Sequence, residues 1–297
     1  MKPTLGLVSR DGIVPISAEQ DTAGPMARHA IDAALTLQVL DGRDRRDAAT
    51  AEIPADLDRR YAKALDEDSL DGARIGVWLR GGSGSPEADA VTEEAVAAIE
   101  AAGGTVVDVE LPYLDAVNSD AYPALQSEFK RDVEAYLRST PGRHPRTLAG
   151  LIRFNERDPY ELEYFDQGIF EMSLAAPPAG SPEHLALREN ATSSAQASID
   201  ETLAAHDLDA IMAPTNSPAW VTTLGQGDAF VFGSSGPAAV AGYPNVTVPA
   251  GYSGELPVGM SFFGARWSDA RMLSLAYAFE QQTDVRRVPQ LLPTTGG

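Results

Sequence analysis

The sequence predicts an α/β protein, and three stretches of the chain support this class. The first stretch, residues 74–111, begins with a buried strand, continues through a helix with apolar residues at helical spacing, and ends in a second strand. Such a βαβ unit places its two strands parallel to each other. A further buried strand is expected at 209–215, and two strands joined by a turn at Gly254 are expected within 245–263. A helix over 269–282 completes the predicted elements.

The first part of the chain is predicted to form a hairpin, a loop and a helix. Residues 5–8 and 13–16 are short β-rich runs, and the Asp-Gly pair between them is typical of a tight turn. Proline follows glycine at 24–25, where a first helical turn tolerates it. Apolar residues then recur at helical spacing up to 41–42, which predicts a helix over this range.

Two long blocks of this sequence resemble the amidase signature family. The first block reads Lys-Pro-Thr at 2–4, Val-Ser-Arg at 8–10, Gly-Ile-Val-Pro at 12–15 and Asp-Thr-Ala-Gly-Pro-Met-Ala-Arg at 21–28, in the order and spacing of the family. The second block begins with Ser-Gly-Pro and extends over 235–281. The resemblance covers nearly the whole chain, but it corresponds to only the later half or so of a full family member.

The resemblance implies that residues 1–297 form a single α/β domain, truncated at its N-terminus. This domain would contain part of the family's mixed, twisted sheet flanked by helices. Residues 112–206 are predicted to be mostly helical, and they correspond to the variable region that borders the substrate channel in the family. An incomplete sheet leaves strand edges and an apolar face bare. We therefore expect a missing N-terminal segment or a homo-oligomer partner to cover them.

Nine aromatic residues cluster in this helical region. Aromatic side chains at helical spacing belong to a core more often than to a ligand site, so these residues are expected to be buried. They are Tyr113, Tyr122, Phe129, Tyr136, Phe154, Tyr160, Tyr164, Phe165 and Phe170.

The resemblance also implies an activity, the hydrolysis of a carboxamide to a carboxylate and ammonia or an amine, without a metal or cofactor. In the family, an unprotonated lysine acts through a bridging cis-Ser on a nucleophilic serine, and backbone amides stabilise the oxyanion. These three residues correspond to positions before Met1, so no catalytic residue is assigned in this chain. We expect the chain to be the C-terminal portion of an amidase that is inactive alone.

Two other functions stay open at this level. A binding or scaffold module derived from an amidase would keep the core and lose the chemistry. A complete hydrolase would instead use Ser235 as its nucleophile. We expect Ser235 to be the N-cap of the helix that follows it, because no lysine or histidine lies nearby in the sequence.

Seven residues are predicted to line the site that binds a small-molecule amide substrate. Three of them lie in the loop of the first block, which the family places next to its active-site scaffold. The other four follow the buried strand at 209–215, and open α/β sheets commonly bind ligands beyond such strand ends. The seven residues are Gln20, Asp21, Thr22, Thr215, Asn216, Ser217 and Trp220.

Two local features have both a structural and a functional interpretation. Asp21 and Arg28 are expected to form an ion pair that fixes the helix against the hairpin, with contact to a substrate as the alternative. The glycine-rich turn at 81–86 lacks both a third fingerprint glycine and a Gly-Lys-Ser/Thr sequence. A structural or substrate-side loop is therefore favoured there over a phosphate site.

Composition excludes several classes of function. The formal net charge of −20 argues against a nucleic-acid or anionic-membrane surface, because both require clustered lysine and arginine. This charge reflects either a salt-adapted surface or a bias of the genome. No cysteine is present, and the four histidines are scattered without metal-ligand spacing. No signal peptide or membrane span is recognised, so a cytoplasmic location is expected.

Overall fold

The computed structural model describes residues 1–158 and 160–290. Within these residues, five strands form one mixed sheet in the order β2-β1-β3-β5-β4. The strands are β1 Arg74–Val77, β2 Thr105–Asp108, β3 Ala210–Pro214, β4 Asn245–Ser253 and β5 Leu256–Phe263. Strand β1 pairs in parallel with β2 and β3, whereas β5 pairs antiparallel with β3 and β4. The predicted α/β class, with a mixed sheet flanked by helices, is confirmed.

Helices cover both faces of this sheet. They are α1 Ala30–Leu40, α2 Pro86–Ala101, α3 Leu114–Ser139, α4 Leu148–Asn155, α5 Gly168–Ala175, α6 Pro182–His206, α7 Gly236–Ala241 and α8 Asp269–Thr283. Helices α2 and α8 pack on one face, and α6 and α7 pack on the other. Helices α3, α4 and α5 extend the second layer and share a small apolar cluster of their own. No helix among the described residues has the length and apolar character needed to traverse a bilayer.

Strand β3 supplies side chains to both apolar layers. Ala210 and Met212 belong to the core under α2 and α8, whereas Ile211 and Ala213 belong to the core under α6 and α7. Alternate residues of a strand point to opposite faces, and all four residues are fully buried. This is why the strand reads as a continuous apolar run and is recognisable in the sequence.

The predicted βαβ unit and the closing strand pair are confirmed. Ser85 caps α2 by accepting a hydrogen bond from the Ala88 N–H at 3.4 Å, and Pro86 occupies the first helical turn. The glycine-rich turn at 81–86 thus leads directly into a capped helix. The turn between β4 and β5 contains Gly254 at a φ of +59°, a conformation that glycine adopts without strain.

The hairpin predicted for the first block is wrong. Residues 5–8 and 13–16 contain no regular strand, although the intervening turn forms, with the Ile13 N–H donating to the Arg10 carbonyl at 3.0 Å. The segment satisfies its backbone groups elsewhere, because Val8 bridges to Asp41. The Asp21 side chain takes the place of the expected second strand, because its carboxylate accepts hydrogen bonds from the Ile16 and Ser17 N–H groups.

Helix α1 begins at Ala30 rather than at the Gly24-Pro25 pair. The Glu280 carboxylate of α8 accepts a hydrogen bond from the Ala30 N–H at 2.6 Å, and its other oxygen lies 2.5 Å from His29 Nδ1. This acceptor comes from a residue about 250 positions away in the chain. Local sequence therefore could not place the start of the helix.

The ion pair predicted between Asp21 and Arg28 does not form. Asp21 Oδ2 instead accepts hydrogen bonds from the Ile16 and Ser17 N–H groups at 2.7 and 2.9 Å. The carboxylate is already engaged with its own loop, and Arg28 makes no salt bridge among the described residues. The Asp21 carboxylate therefore holds the opening loop together by hydrogen bonds and does not fix the loop to α1 through an ion pair with Arg28.

Most of the nine aromatic residues are not buried, which contradicts the prediction of a core role. Phe129 and Phe170 pack together with ring centroids 5.3 Å apart, and Tyr136 is partly buried. The exposed residues are Tyr113, Tyr122, Phe154, Tyr160, Tyr164 and Phe165. Four of the six, at positions 113, 160, 164 and 165, lie outside the regular helices, so the helical spacing that predicted their burial does not apply to them.

Ser235 occupies the N-cap position of α7, but its side chain makes no capping hydrogen bond. Ser235 therefore has the predicted position, but the expected capping hydrogen bond does not form. The preceding Ser234 is buried and donates its hydroxyl to the Thr215 carbonyl at 3.3 Å. The start of α7 is thus fixed through the end of β3.

A buried carboxylate anchors the beginning of the chain. Asp269 at the start of α8 is fully buried, and it accepts hydrogen bonds from the Thr4 N–H at 2.8 Å and the Thr4 hydroxyl at 2.5 Å. The Thr4 Oγ1 atom also accepts a hydrogen bond from the Trp267 N–H at 3.2 Å. Burial raises the pKa of Asp269, although the hydrogen bonds from Thr4 oppose this effect.

We expect the Thr4→Val substitution to lower the free energy of unfolding by about 1–3 kcal/mol, because it leaves a buried carboxylate oxygen without a donor. Urea unfolding followed by tryptophan fluorescence measures this change. The Thr4→Ser variant keeps the hydroxyl and serves as the matched control. Equal stability of Thr4→Val and the unmodified chain would show that the buried pair is not stabilising.

Candidate functional site

The loop that holds three of the predicted site residues rests on a buried polar cluster. Its centre is Glu128 on α3, whose side chain is fully buried. The carboxylate accepts hydrogen bonds from the Ser17 hydroxyl at 2.6 Å, from His184 Nε2 at 2.8 Å, and from two nitrogens of Arg188 at 2.6 and 2.7 Å. We call these four residues the Glu128 cluster. It joins the opening loop to α3 and α6.

The hydrogen bonds of His184 define its tautomer. Its Nδ1 atom accepts a hydrogen bond from the Gly180 N–H at 3.0 Å, so this nitrogen carries no proton. The proton of the neutral ring is therefore on Nε2, which donates to Glu128. A neutral His184 leaves one cation, Arg188, beside one anion in the Glu128 cluster. The cluster is consequently balanced in charge.

Two opposing effects set the pKa of Glu128. Burial raises the pKa of the carboxyl, but hydrogen bonds from Arg188 and Ser17 and the charge of Arg188 outweigh burial. The net result is a pKa below the ordinary value of about 4.5. Glu128 is therefore ionised at neutral pH and holds its three partners by charge-assisted hydrogen bonds.

Salt bridges on the outside of the opening loop add further contacts with α3. Arg131 binds Glu19 at 2.7 Å and Asp132 at 2.6 Å, and Asp132 also accepts a hydrogen bond from the Ala18 N–H at 2.7 Å. These groups are more exposed than the Glu128 cluster, so each contributes little to stability in water. Their effect is to fix the path of residues 17–21 along the helix.

The structure places Gln20, Asp21 and Thr22 directly beside the Glu128 cluster. Gln20 Oε1 accepts a hydrogen bond from Arg188 at 3.2 Å. Burial raises the pKa of Asp21, in spite of the two N–H groups that donate to it. Thr22 differs from both, because its hydroxyl oxygen is buried and has no hydrogen-bond partner in the described residues. These three residues form the first group of the candidate site.

A cleft of about 340 Å³ adjoins this first group. Asp21 lines it together with Arg10, Asp132 and Tyr136, so the cleft lies between the opening loop and the last turns of α3. Its charges are largely paired, since Arg10 contacts Asp47 at 2.6 Å. The cleft therefore offers polar walls and room for a small organic group.

Thr215 belongs to a cluster of hydroxyl groups at the end of β3. Its Oγ1 atom lies 2.7 Å from Thr247 Oγ1 and 2.8 Å from Ser261 Oγ. Gly259 lies opposite, and a Cβ atom at this position would come within 3.0 Å of Thr215 Oγ1. The three hydroxyls can donate and accept in either direction, so the cluster can adapt to a neighbouring polar group.

The next three predicted residues extend from this hydroxyl cluster. Asn216 forms a backbone bridge with Gly233, which folds the intervening segment back on itself. Trp220 packs edge-on against Phe230 with ring centroids 6.2 Å apart. The Ser217 hydroxyl oxygen is buried and, like that of Thr22, has no partner among the described residues. These residues form the second group of the candidate site.

The residues of each group lie together, but no hydrogen bond among residues 1–158 and 160–290 joins the first group to the second. The first group rests on α3 and α6, and the second rests on β3, β4 and β5. Sequence reasoning missed Glu128, Arg188, Thr247 and Ser261. These residues lie far from the predicted ones in sequence, and no local motif marks them.

Among the described residues, no lysine side chain is hydrogen-bonded to a serine hydroxyl, and no group of side chains is arranged to hold a metal ion. Lys2 donates to the Pro3 carbonyl at 3.1 Å, and no other lysine there forms a side-chain hydrogen bond to a serine hydroxyl. No set of three histidine or acidic side chains in this part of the chain is arranged to hold a metal ion. The groups present can bind and orient a polar molecule.

We expect Glu128→Gln to lower the free energy of unfolding by about 3–5 kcal/mol, since Arg188 would keep a buried charge without its counterion. Urea unfolding measures the loss, and limited proteolysis within 10–22 reports release of the opening loop. Glu189→Gln removes an exposed carboxylate from the same helix as Arg188 and should change stability by less than about 0.5 kcal/mol. Similar stability of both variants would contradict the anchoring role.

The lowered pKa of Glu128 predicts a pH dependence. A carboxyl whose pKa is lower in the folded chain stabilises the fold above about pH 4.5, and this contribution is lost as pH falls through the folded-state value. The stability difference between the unmodified chain and Glu128→Gln should therefore shrink as the pH falls from neutral to below about pH 4.5. Unfolding free energies measured across this range test the prediction. A constant difference would show that Glu128 does not titrate as described.

Comparisons with known proteins agree with the fold and with the sequence blocks. Residues 1–273 match the family model Amidase. The chain is 31% identical to a probable amidase from Arabidopsis thaliana, over 98% of this chain and 54% of that protein. It superposes on native peptide amidase from Stenotrophomonas maltophilia with a TM-score of 0.87 and 41% identity, covering 96% of this chain and 58% of that one.

A second solved structure gives the same result. An amidase family protein from Bacillus anthracis superposes with a TM-score of 0.82 and 30% identity, covering 98% of this chain and 54% of that one. The chain thus spans between half and three fifths of the length of each of these proteins. The family model covers most of the chain, and both solved structures share its sheet and helices. The chain belongs to the amidase signature family.

Proposed function

We propose that this chain is the C-terminal portion of an amidase that hydrolyses a carboxamide C–N bond to a carboxylate and ammonia or an amine. The observation that carries the proposal is the agreement with a peptide amidase at 41% identity along 96% of the chain. At this identity the similarity extends beyond the fold to the side chains that fill it. An amide of a peptide is accordingly our proposed substrate class.

In this proposal the catalytic Ser, cis-Ser and Lys of the family are supplied from outside residues 1–297. The absence of any lysine–serine hydrogen bond in the described part of the chain supports this division. The residues of the chain then bind and orient the substrate. The chain alone, without the reacting groups, is inactive.

We assign the substrate-side role to the two groups of the candidate site within a single domain. Gln20, Asp21 and Thr22 form one wall, kept in place by the Glu128 cluster. Thr215, Asn216, Ser217 and Trp220 form the other, at the end of β3. The helical region 112–206 borders the first wall, and its α3 and α6 supply the groups that hold it.

Two buried hydroxyls favour a partner for these walls. A buried hydroxyl without a hydrogen bond costs about 1–3 kcal/mol, and both Thr22 and Ser217 carry such a group within the described residues. A polar atom of the substrate, of the catalytic segment or of a second copy of the chain would recover this free energy.

A binding or scaffold module is the second candidate function. It is favoured by the apolar packing on both faces of the sheet, to which the proposed catalytic groups contribute nothing. Such a module would bind an amide at the two walls without cleaving it. The two candidates differ only in whether the reacting groups are ever supplied.

Ammonia release from peptide amides tests the proposal. We expect none above the blank from residues 1–297, and turnover from the same chain extended at Met1 by the preceding segment of the S. maltophilia peptide amidase. The same extended chain with its nucleophilic serine changed to alanine is the matched control. Turnover by the unextended chain would contradict the division of roles, and Ser235→Ala would then test Ser235 as its nucleophile. A folded but inactive extended chain that binds peptide amides would favour the scaffold module.

A further inference from the structure

A groove open to solvent, with both polar and apolar side chains in its lining, is formed by the connection between α4 and α5 and by the start of α5. Its apolar lining consists of Leu162, Tyr164 and Phe165, and the groove has a volume of about 610 Å³. Tyr164 is 54% and Phe165 is 66% exposed, which is unusual for large apolar side chains that are close together. Ile169 and Met172 on α5 extend the exposed apolar surface. We call this surface the α4–α5 groove.

Carboxylates surround the α4–α5 groove. Glu156, Glu163, Asp166 and Glu171 line it, and none of them forms a salt bridge within the described residues. Asp166 accepts a hydrogen bond from the Gly168 N–H at 2.9 Å, and the other three have no side-chain partner there. The groove therefore combines exposed aromatic faces with unpaired negative charge.

This combination selects one kind of occupant. Arginine and lysine bind carboxylates by charge-assisted hydrogen bonds and bind aromatic faces by cation–π contacts. Their apolar neighbours in a peptide would cover Phe165 and Leu162. A second copy of the chain does not fit, because it carries the same acidic groups and a net charge of −20. A metal ion does not fit either, since the described residues hold no suitable ligand set.

Helix α3 connects the groove to the first wall of the candidate site. Glu128 faces the opening loop, and the adjacent Phe129 packs on Phe170 of α5 with ring centroids 5.3 Å apart. Helix α3 thus contacts the opening loop through Glu128 and contacts α5, whose first turn borders the groove, through the next residue.

We propose that the α4–α5 groove binds the basic flank of a peptide amide substrate. The inference rests on the proposed function, because it assigns to the groove a part of that substrate remote from the cleaved bond. Arginine or lysine side chains of the peptide pair with the groove carboxylates, and the residues between them pack on its aromatic faces. The chain is accordingly selective for peptide amides that carry positive charge.

Binding to the chain as it exists tests this inference without requiring turnover. The probe is a fluorescently labelled, amidated peptide in which arginine alternates with leucine, and fluorescence anisotropy gives its Kd. A peptide with glutamate in place of arginine is the matched probe. We expect the arginine peptide to bind at least about tenfold more tightly, with an affinity that falls as salt is added.

Variants locate the bound peptide. The triple variant Glu163→Gln, Asp166→Asn and Glu171→Gln should raise the Kd of the arginine peptide about tenfold. The control neutralises three exposed carboxylates elsewhere, by Asp66→Asn, Glu67→Gln and Asp68→Asn, and should leave the Kd within about twofold. Equal weakening by both triple variants would show attraction to the overall charge and would overturn the inference. Unchanged binding in the groove variant would overturn it as well.

Two further measurements complete the test. Tyr164→Ser with Phe165→Ser keeps every carboxylate and should also weaken binding at least about threefold, because the cation–π contacts are lost. In the extended, active chain, the ratio of kcat/KM for basic over acidic peptide amides should fall about tenfold in the groove triple variant. Turnover with an unchanged ratio would overturn this inference and leave the proposed function intact. Selective binding without turnover would overturn the proposed function and would leave the groove as a binding site for basic peptides.

Discussion

The position of the first group of the candidate site depends on a single buried carboxylate, Glu128. An ion of this kind loses several kcal/mol of hydration when it is removed from water, so it persists only with a full set of donors. Here the donors come from the opening loop and from two turns of α6. The opening loop, α3 and α6 therefore converge on the Glu128 carboxylate. The position of the loop is a consequence of satisfying this charge.

The sheet provides the second constraint. Strand β3 is buried on both faces, and its last residues lie between a hydroxyl cluster and the start of α7. The strand cannot shift without disturbing two cores, so the position of Thr215, directly beyond its end, is fixed by packing. The second group of the candidate site is therefore anchored by apolar packing, whereas the first group depends on polar contacts.

Sequence predicted those elements whose pattern is set by their own burial. Strand β3 is an uninterrupted apolar run, and α2 carries its cap, its proline and its apolar spacing within its own residues. The opening segment could not be predicted in the same way, because distant side chains such as Glu280 replace its backbone partners. For the candidate site, the sequence predicts only seven residues in two blocks. Glu128 and Arg188, sixty positions apart, meet through the packing of two helices.

Helix α3 carries Glu128 and Phe129 side by side, one committed to the opening loop and the other to α5. Removing one residue from the helix ahead of this pair would rotate both side chains by about 100° relative to that part of the helix, away from both partners at once. A one-residue deletion there would therefore break both sets of contacts at once, whereas a replacement that keeps the helical phase would preserve them.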